Sequence, residues 1–179
     1  EVKMKYIIPI IILSLILFGC KAAEDDSTSS TTELEGEWKT ACYTKTDNLS
    51  YVDTLTFADS TVTVKEKKHS DTSCATDYRR DKSSNTFALE EKGKIIVTQS
   101  STFSKKPLSS TAVTNYNNSS KCGQSDWELN TSKDCTNSDG GSKLYVLYEI
   151  SGDTLYTAAQ GRSYPTSITK DTANTFTKQ

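Results

Sequence analysis

Hydrophobic positions in this chain of 179 residues fall into two regimes: a continuous apolar run, Ile7 to Phe18, and short alternating stretches from Gly36 onward. The alternation has period two. Tyr51, Asp53, Leu55 and Phe57 alternate with Val52, Thr54 and Thr56, and Val62 and Val64 repeat the pattern after a turn at Ala58 to Ser60. That period belongs to strands with one buried face. "GEWKTACYT" (36–44), "TFALEE" (86–91), "KIIVTQS" (94–100), "TAVTNYN" (111–117), "SDWELN" (125–130), "KLYVLYEI" (143–150), "TLYTAA" (154–159) and the closing "NTFTKQ" continue the series. Gly93 and the segment around Pro107 separate some of these runs, and "SGD" joins two of them as a compact hairpin. No amphipathic helix competes with them.

The pattern predicts an all-β domain over 33–179, of ordinary size for one domain. About eight to ten short antiparallel strands suit an up-and-down barrel, which removes exposed sheet edges. A two-sheet β-sandwich is the alternative. The last segment is expected to pair with the first, with Phe176 inward and Thr175 and Thr177 outward. Only 34% of the chain is hydrophobic, apolar leader included, so wet strand faces are expected in place of a large dry core.

The run Ile7 to Phe18 falls short of the roughly 20 apolar residues that cross a bilayer as a helix. Lys3 and Lys5 precede it and Gly19 follows, the layout of a secretory signal peptide over 1–19. "LFGC" (17–20) resembles the lipobox of bacterial lipoproteins. The resemblance implies that Cys20 takes a diacylglyceryl group, that the chain is cut before it, and that the new terminus is acylated. Two or more acyl chains, at about 0.8 kcal/mol per buried CH₂, hold a protein stably to a membrane where one does not. Lys21 after the cysteine implies the outer membrane under the enterobacterial sorting rule. From Lys21 to Thr32 the chain is polar and cannot bury enough surface to order itself, so 20–32 reads as a lipidated cysteine and flexible linker.

A formal net charge of -2 gives no electrostatic basis for nucleic-acid binding. The short basic cluster "KEKKH" (65–69) reads as a solvated strand end or hairpin tip, with His69, the only histidine, facing solvent. There is no GxSxG motif and no CxxC pair, so neither an acyl-transfer site nor a zinc site is expected, and no cofactor is implied.

"GEW" (36–38) resembles the Gly-x-Trp that opens the lipocalin barrel, and "GRSYPTS" supplies Arg162. The resemblance implies that Arg162 packs over Trp38 and seals one barrel end, leaving the opposite mouth for ligand. Taken together, the layout is similar to small lipocalin-like bacterial lipoproteins of unassigned role. That similarity carries no active-site residues.

Setting Cys20 aside leaves Cys42, Cys74, Cys122 and Cys135, an even number that implies disulfides in an exported protein. Three pairings are possible. Near neighbours in a meander meet most easily, which favours Cys42 with Cys74 and Cys122 with Cys135. Asp53, on an otherwise apolar face, is expected to hydrogen-bond a buried Tyr or Ser. The expected function is that of a monomeric, non-enzymatic, lipid-anchored envelope protein whose interior binds a small amphipathic ligand through Tyr51, Asp53, Tyr145 or Tyr148. The alternative is a structural or interaction lipoprotein that presents its loops to a protein, the cell wall or a host surface. Replacing Cys20 with Ser is expected to abolish metabolic labelling with palmitate; labelling that persists in the variant would overturn the anchor.

Overall fold

The computed structural model describes residues 32–47 and 49–179, and these form one compact unit. The expected signal peptide, Cys20 and the rest of the linker lie outside the described residues. The elements in chain order are β1 (Gly36–Thr40), β2 (Tyr43–Thr44), β3 (Ser50–Ala58), β4 (Thr61–His69), β5 (Asp77–Glu91), β6 (Lys94–Thr98) and β7 (Thr102–Pro107). Then follow α1 (Ser110–Asn118), β8 (Lys133–Thr136), β9 (Lys143–Ser151), β10 (Thr154–Gln160) and β11 (Thr175–Lys178).

Eight of these strands close a barrel. Taken as β1, β3, β4, β5, β6, β9, β10 and β11, each pairs antiparallel with the one before it, and β11 returns to β1 through Trp38↔Lys178 and Thr40↔Phe176. This is an up-and-down barrel, and the sandwich alternative falls because the sheet has no break. The other three strands extend one end. β2 continues the pairing of β3 past the end of β1, while β7 takes the first part of the β5 edge whose second part pairs β6, and β8 pairs β7.

Strand parity decides what lies inside. Leu55 and Phe57 on β3 sit opposite Val64 and Val62 on β4, and Ile95 and Val97 on β6 opposite Val146 and Leu144 on β9. Leu155 meets Phe176. These residues and Phe87 and Tyr148 form the main core. One end of it is plugged from below: Leu34 is fully buried, and Trp38, 1% exposed, donates its indole N–H to the Leu34 carbonyl at 2.6 Å.

The cation over Trp38 is Lys178, with Nζ 5.1 Å from the ring centroid. Arg162 does not fill that role. It is exposed in the loop after β10, whereas the register of β11 sets Lys178 directly beside Trp38.

Several expected strands are absent or broken. "TAVTNYN" is helical: Ser109 caps α1 by accepting from the Ala112 N–H, and the buried pair Ala112 and Tyr116 has the four-residue spacing of a helix face. "SDWELN" is irregular. There Asn117 plays the part of a strand, its side-chain oxygen accepting from the Trp127 N–H at 2.6 Å and its amide donating to the Trp127 carbonyl at 3.1 Å. The expected strand 36–44 breaks at Ala41 and Cys42, and β7, β8 and the first half of β5 extend beyond the runs that alternation marked.

Between β6 and β9, then, the chain leaves the barrel to build a second small core of Tyr116, Trp127 and Cys135 with Phe103 against it. The Cys122–Cys135 disulfide staples that excursion, and Cys42–Cys74 ties the break after β1 to the loop after β4. In the loop-entropy model each such bond contributes about 3 kcal/mol. Cys74 and Cys122 sit at φ of 57° each, the left-handed region that non-glycine residues avoid, so each bridge has one end whose backbone the loop must hold.

Phe176 is 5% exposed against Leu155, while Thr177 faces solvent. Phe176→Ala is expected to lower unfolding free energy by about 3–5 kcal/mol and Thr177→Ala to leave it within about 0.5 kcal/mol in a denaturant titration. Equal, negligible losses would mean that β11 does not close the barrel.

Candidate functional site

Above the plugged end the barrel is hollow. A cavity of about 320 Å³ is walled by Leu34, Phe57, Ile95, Leu144, Val146, Tyr148 and Phe176, among others. Its polar groups are Ser83, Asn85, Gln99, Asn137 and Thr157. An apolar chamber with a few polar groups is the usual form of a small-molecule site. Two of those amides also secure the chain that leaves the barrel: Asn85 accepts from the Ser100 N–H at 3.0 Å, and the Asn137 amide donates to the Ser100 carbonyl at 2.8 Å.

The parity that fills the barrel with Val62, Val64, Leu55 and Phe57 continues beyond it and turns charged. Asp53 faces Glu66, Tyr51 faces Lys68, Glu66 faces Asp81, and Asp81 faces Lys105. These groups pair with one another, as buried charge requires. Lys105 pairs with Asp81, and the Arg79 guanidinium lies 3.5 Å from Asp81 and 3.8 Å from Glu66. Lys45 reaches Glu66 at 2.7 Å and stands 4.0 Å above the Tyr51 ring. Burial pushes the Lys105 ammonium below its ordinary pKa, partly offset by its bond to Asp81.

A second cavity of about 320 Å³ opens on this layer. Glu66, Asp81 and Phe103 line it, and it shares Val64, Ser83 and Asn137 with the apolar chamber, so the two adjoin across these side chains. Three buried polar atoms of the layer have no hydrogen-bond partner: Asp53 Oδ1, Asp81 Oδ1 and Arg79 Nε.

Of the tyrosines expected to bind ligand, Tyr148 alone lines the apolar chamber. Tyr145 has the opposite parity on β9 and packs outside the barrel, edge-on to Tyr164 at 5.3 Å. Two residues three apart on one strand cannot share a face. Tyr51 is buried in the charged layer, stacked on Tyr43, with its hydroxyl donating to Asp47 Oδ2. Lys68 donates to the same oxygen at 2.6 Å, and with the Tyr51 bond this holds the Asp47 carboxyl far below the usual range. Asp53 accepts from the Tyr43 hydroxyl at 2.6 Å.

Of the two readings of "KEKKH", strand end and hairpin tip, the structure has the strand end, but its last two residues are not solvated. The cluster is the second half of β4, with Lys68 8% and His69 3% exposed. Burial lowers the pKa of His69, against an opposing pull from Asp77. Glu66, Arg79, Asp81 and Lys105 were not among the expected site residues. The signal was available, because Val62, Val64, Glu66 and Lys68 are one parity series. No protein-family model matches the chain, and no curated protein is similar to it.

Burial raises the pKa of Asp53, and Tyr43 and Lys45 oppose that shift only in part. The ionised carboxylate therefore subtracts from stability at neutral pH, a deficit that fades as pH falls through the folded pKa toward the unfolded value of 3.8. Asp53→Asn keeps an acceptor for Tyr43 and removes the charge. Its urea midpoint should lie above that of the wild type at pH 7 and converge on it near pH 4. A midpoint below wild type at pH 7 would show that the carboxylate is stabilising as an ion.

Proposed function

We propose that the chain is a non-enzymatic, lipid-anchored lipoprotein of a bacterial cell envelope, held at the outer membrane through Cys20, whose barrel carries one small amphipathic molecule. The observation that carries the binding reading is the adjoining pair of cavities, apolar below and charged above. An acyl chain or compact ring system would lie among Phe57, Ile95, Val146 and Phe176, where burial contributes about 25 cal/mol per Å² of apolar surface. A polar head bearing hydrogen-bond donors would then meet Asp81 Oδ1, Ser83 and Asn137 at the junction. The chamber's volume stands at the lower end of the roughly 300–1,000 Å³ range of ligand pockets, so one chain or ring fits and a multi-chain lipid does not.

The anchor and the cavity support each other. A lipid-tethered barrel with a plugged base and a polar opposite mouth can take a poorly soluble molecule from an aqueous compartment and hold it beside a membrane. The tether rests on the lipobox resemblance, and the cargo on the cavity.

The test is a fluorescent amphiphile, N-phenyl-1-naphthylamine, titrated against the full chain and the Val64→Trp variant. Val64 lines both cavities, so an indole there fills the junction. The wild type should enhance the probe's emission at one-to-one stoichiometry. Val64→Trp, checked for an intact fold by circular dichroism, should bind it at least tenfold more weakly. Equal binding by both proteins, or none by the wild type, would overturn the reading.

A further inference from the structure

The outer face of β3, β4 and β5 carries a charge pattern that barrel closure does not explain. Lys67 on β4 is directly opposite Arg80 on β5, and Arg80 is directly opposite Lys106 on β7. Lys65 is likewise opposite Lys82. Like charges set directly across adjacent strands destabilise a sheet. A chain with 21 Lys and Arg against 23 Asp and Glu has acidic residues enough to avoid such rows.

Partial neutralisation comes from two carboxylates. Asp77 lies 2.8 Å from Lys67 Nζ and 3.2 Å from His69 Nδ1, and Glu37 lies 3.8 Å from Lys65 Nζ. Asp134 stands at the far edge, beside Ser104 of β7. Among the described residues, Lys39, Arg80, Lys82 and Lys106 have no acidic side chain within 4.0 Å. The cations outnumber the anions on this face, although the whole chain is slightly acidic.

A depression of about 320 Å³ sits in the middle of the rows, lined by Lys39, Lys65, Lys67 and Arg80, with Thr54 and His69 at its wall. The His69 side chain is 4% exposed, and neither ring nitrogen makes a hydrogen bond. A buried ring nitrogen without a hydrogen bond, in a depression lined by four cations of which Lys39 and Arg80 have no acidic partner, is arranged for an oxygen-rich anion.

We infer that this depression is an oxyanion site that takes a phosphate ester, with Arg80 and the three lysines supplying charge and the His69 imidazole a neutral N–H. A guanidinium offers two parallel N–H bonds to such a group, and three ammonium groups drawn from two strands, β1 and β4, suit a tetrahedral charge better than a flat carboxylate. A nucleic acid is a poorer fit, because no Phe, Tyr or Trp ring lines the depression for a base to stack on, and the one imidazole is buried. The site is on the outside of the sheet, so it stands or falls independently of any molecule in the barrel.

The test is isothermal titration of the full chain with inorganic pyrophosphate at low salt, beside the variants Arg80→Gln and Lys143→Gln. Lys143 begins β9 and is exposed, so it controls for net charge alone. Wild type and Lys143→Gln should bind with one-to-one stoichiometry and equal affinity. Arg80→Gln should bind roughly tenfold more weakly or worse, as expected for one lost charge-assisted pair. Its thermal midpoint in the absence of anion should stay level or rise, because a like-charge row has been relieved.

Monomeric dihexanoylphosphatidylglycerol, tested for displacement of pyrophosphate, separates two sources of the same chemistry. Displacement that is lost in Arg80→Gln identifies a lipid phosphodiester, and failure to displace identifies a free phosphate or phosphomonoester. Absence of saturable pyrophosphate binding, or the same loss in Arg80→Gln and Lys143→Gln, would overturn the site.

Discussion

Pairing of β1 with β11 is the constraint on which the rest of the molecule depends. It is short, running from Trp38↔Lys178 to Thr40↔Phe176, yet it turns an open meander into a closed surface with a defined inside. With the ring shut, each strand has one face in the barrel and one in solvent, and a one-residue slip anywhere would exchange them. The plug at Leu34, the indole bond of Trp38 to its carbonyl and the Lys178 cation above the ring all sit at this seam. One of the shortest pairings in the hydrogen-bonded circuit is therefore also where the plug of the barrel sits.

Closure also explains how one fold holds two chemistries. Strands β3, β4 and β5 are longer than the barrel is tall, so their inner face runs on past the mouth into a layer of Asp53, Glu66, Arg79, Asp81 and Lys105. Buried charges in that number contribute little net stability, since desolvation cancels much of their attraction. What they contribute is position. The layer ties β4, β5 and β7 together through cross-strand ion pairs and leaves the unpartnered Asp81 Oδ1 beside the apolar chamber.

The architecture was largely legible in the sequence, and the site only in part. Alternation at Tyr51 to Phe57 and at Lys143 to Ile150 marked strands that the structure contains, and the inward face of Phe176 followed from the same logic. Where polar residues carry the alternation, hydrophobicity goes silent: Arg79 and Asp81 are inside because Asn85 and Phe87 are, not because of their own character. The excursion after β6 was misread for a different reason. Its order comes from side-chain bonds such as those of Asn117 to Trp127, and no periodicity records them. Arg162 was assigned by analogy to a role that register gave to Lys178.

A seam formed by the first and last strands has a temporal side. β1 and β11 stand at opposite ends of the domain, so their pairing closes a long loop and forms only once that entropy is offset. Before closure β1 can pair with β3, and the Cys42–Cys74 bridge can form behind it, but its other edge is an open template for any passing strand. The sequence meets that exposure with brevity and charge. β1 spans Gly36–Thr40, and it points Glu37 and Lys39 outward. The composition of this strand thus suits the unclosed chain as well as the finished barrel, in which the edge no longer exists.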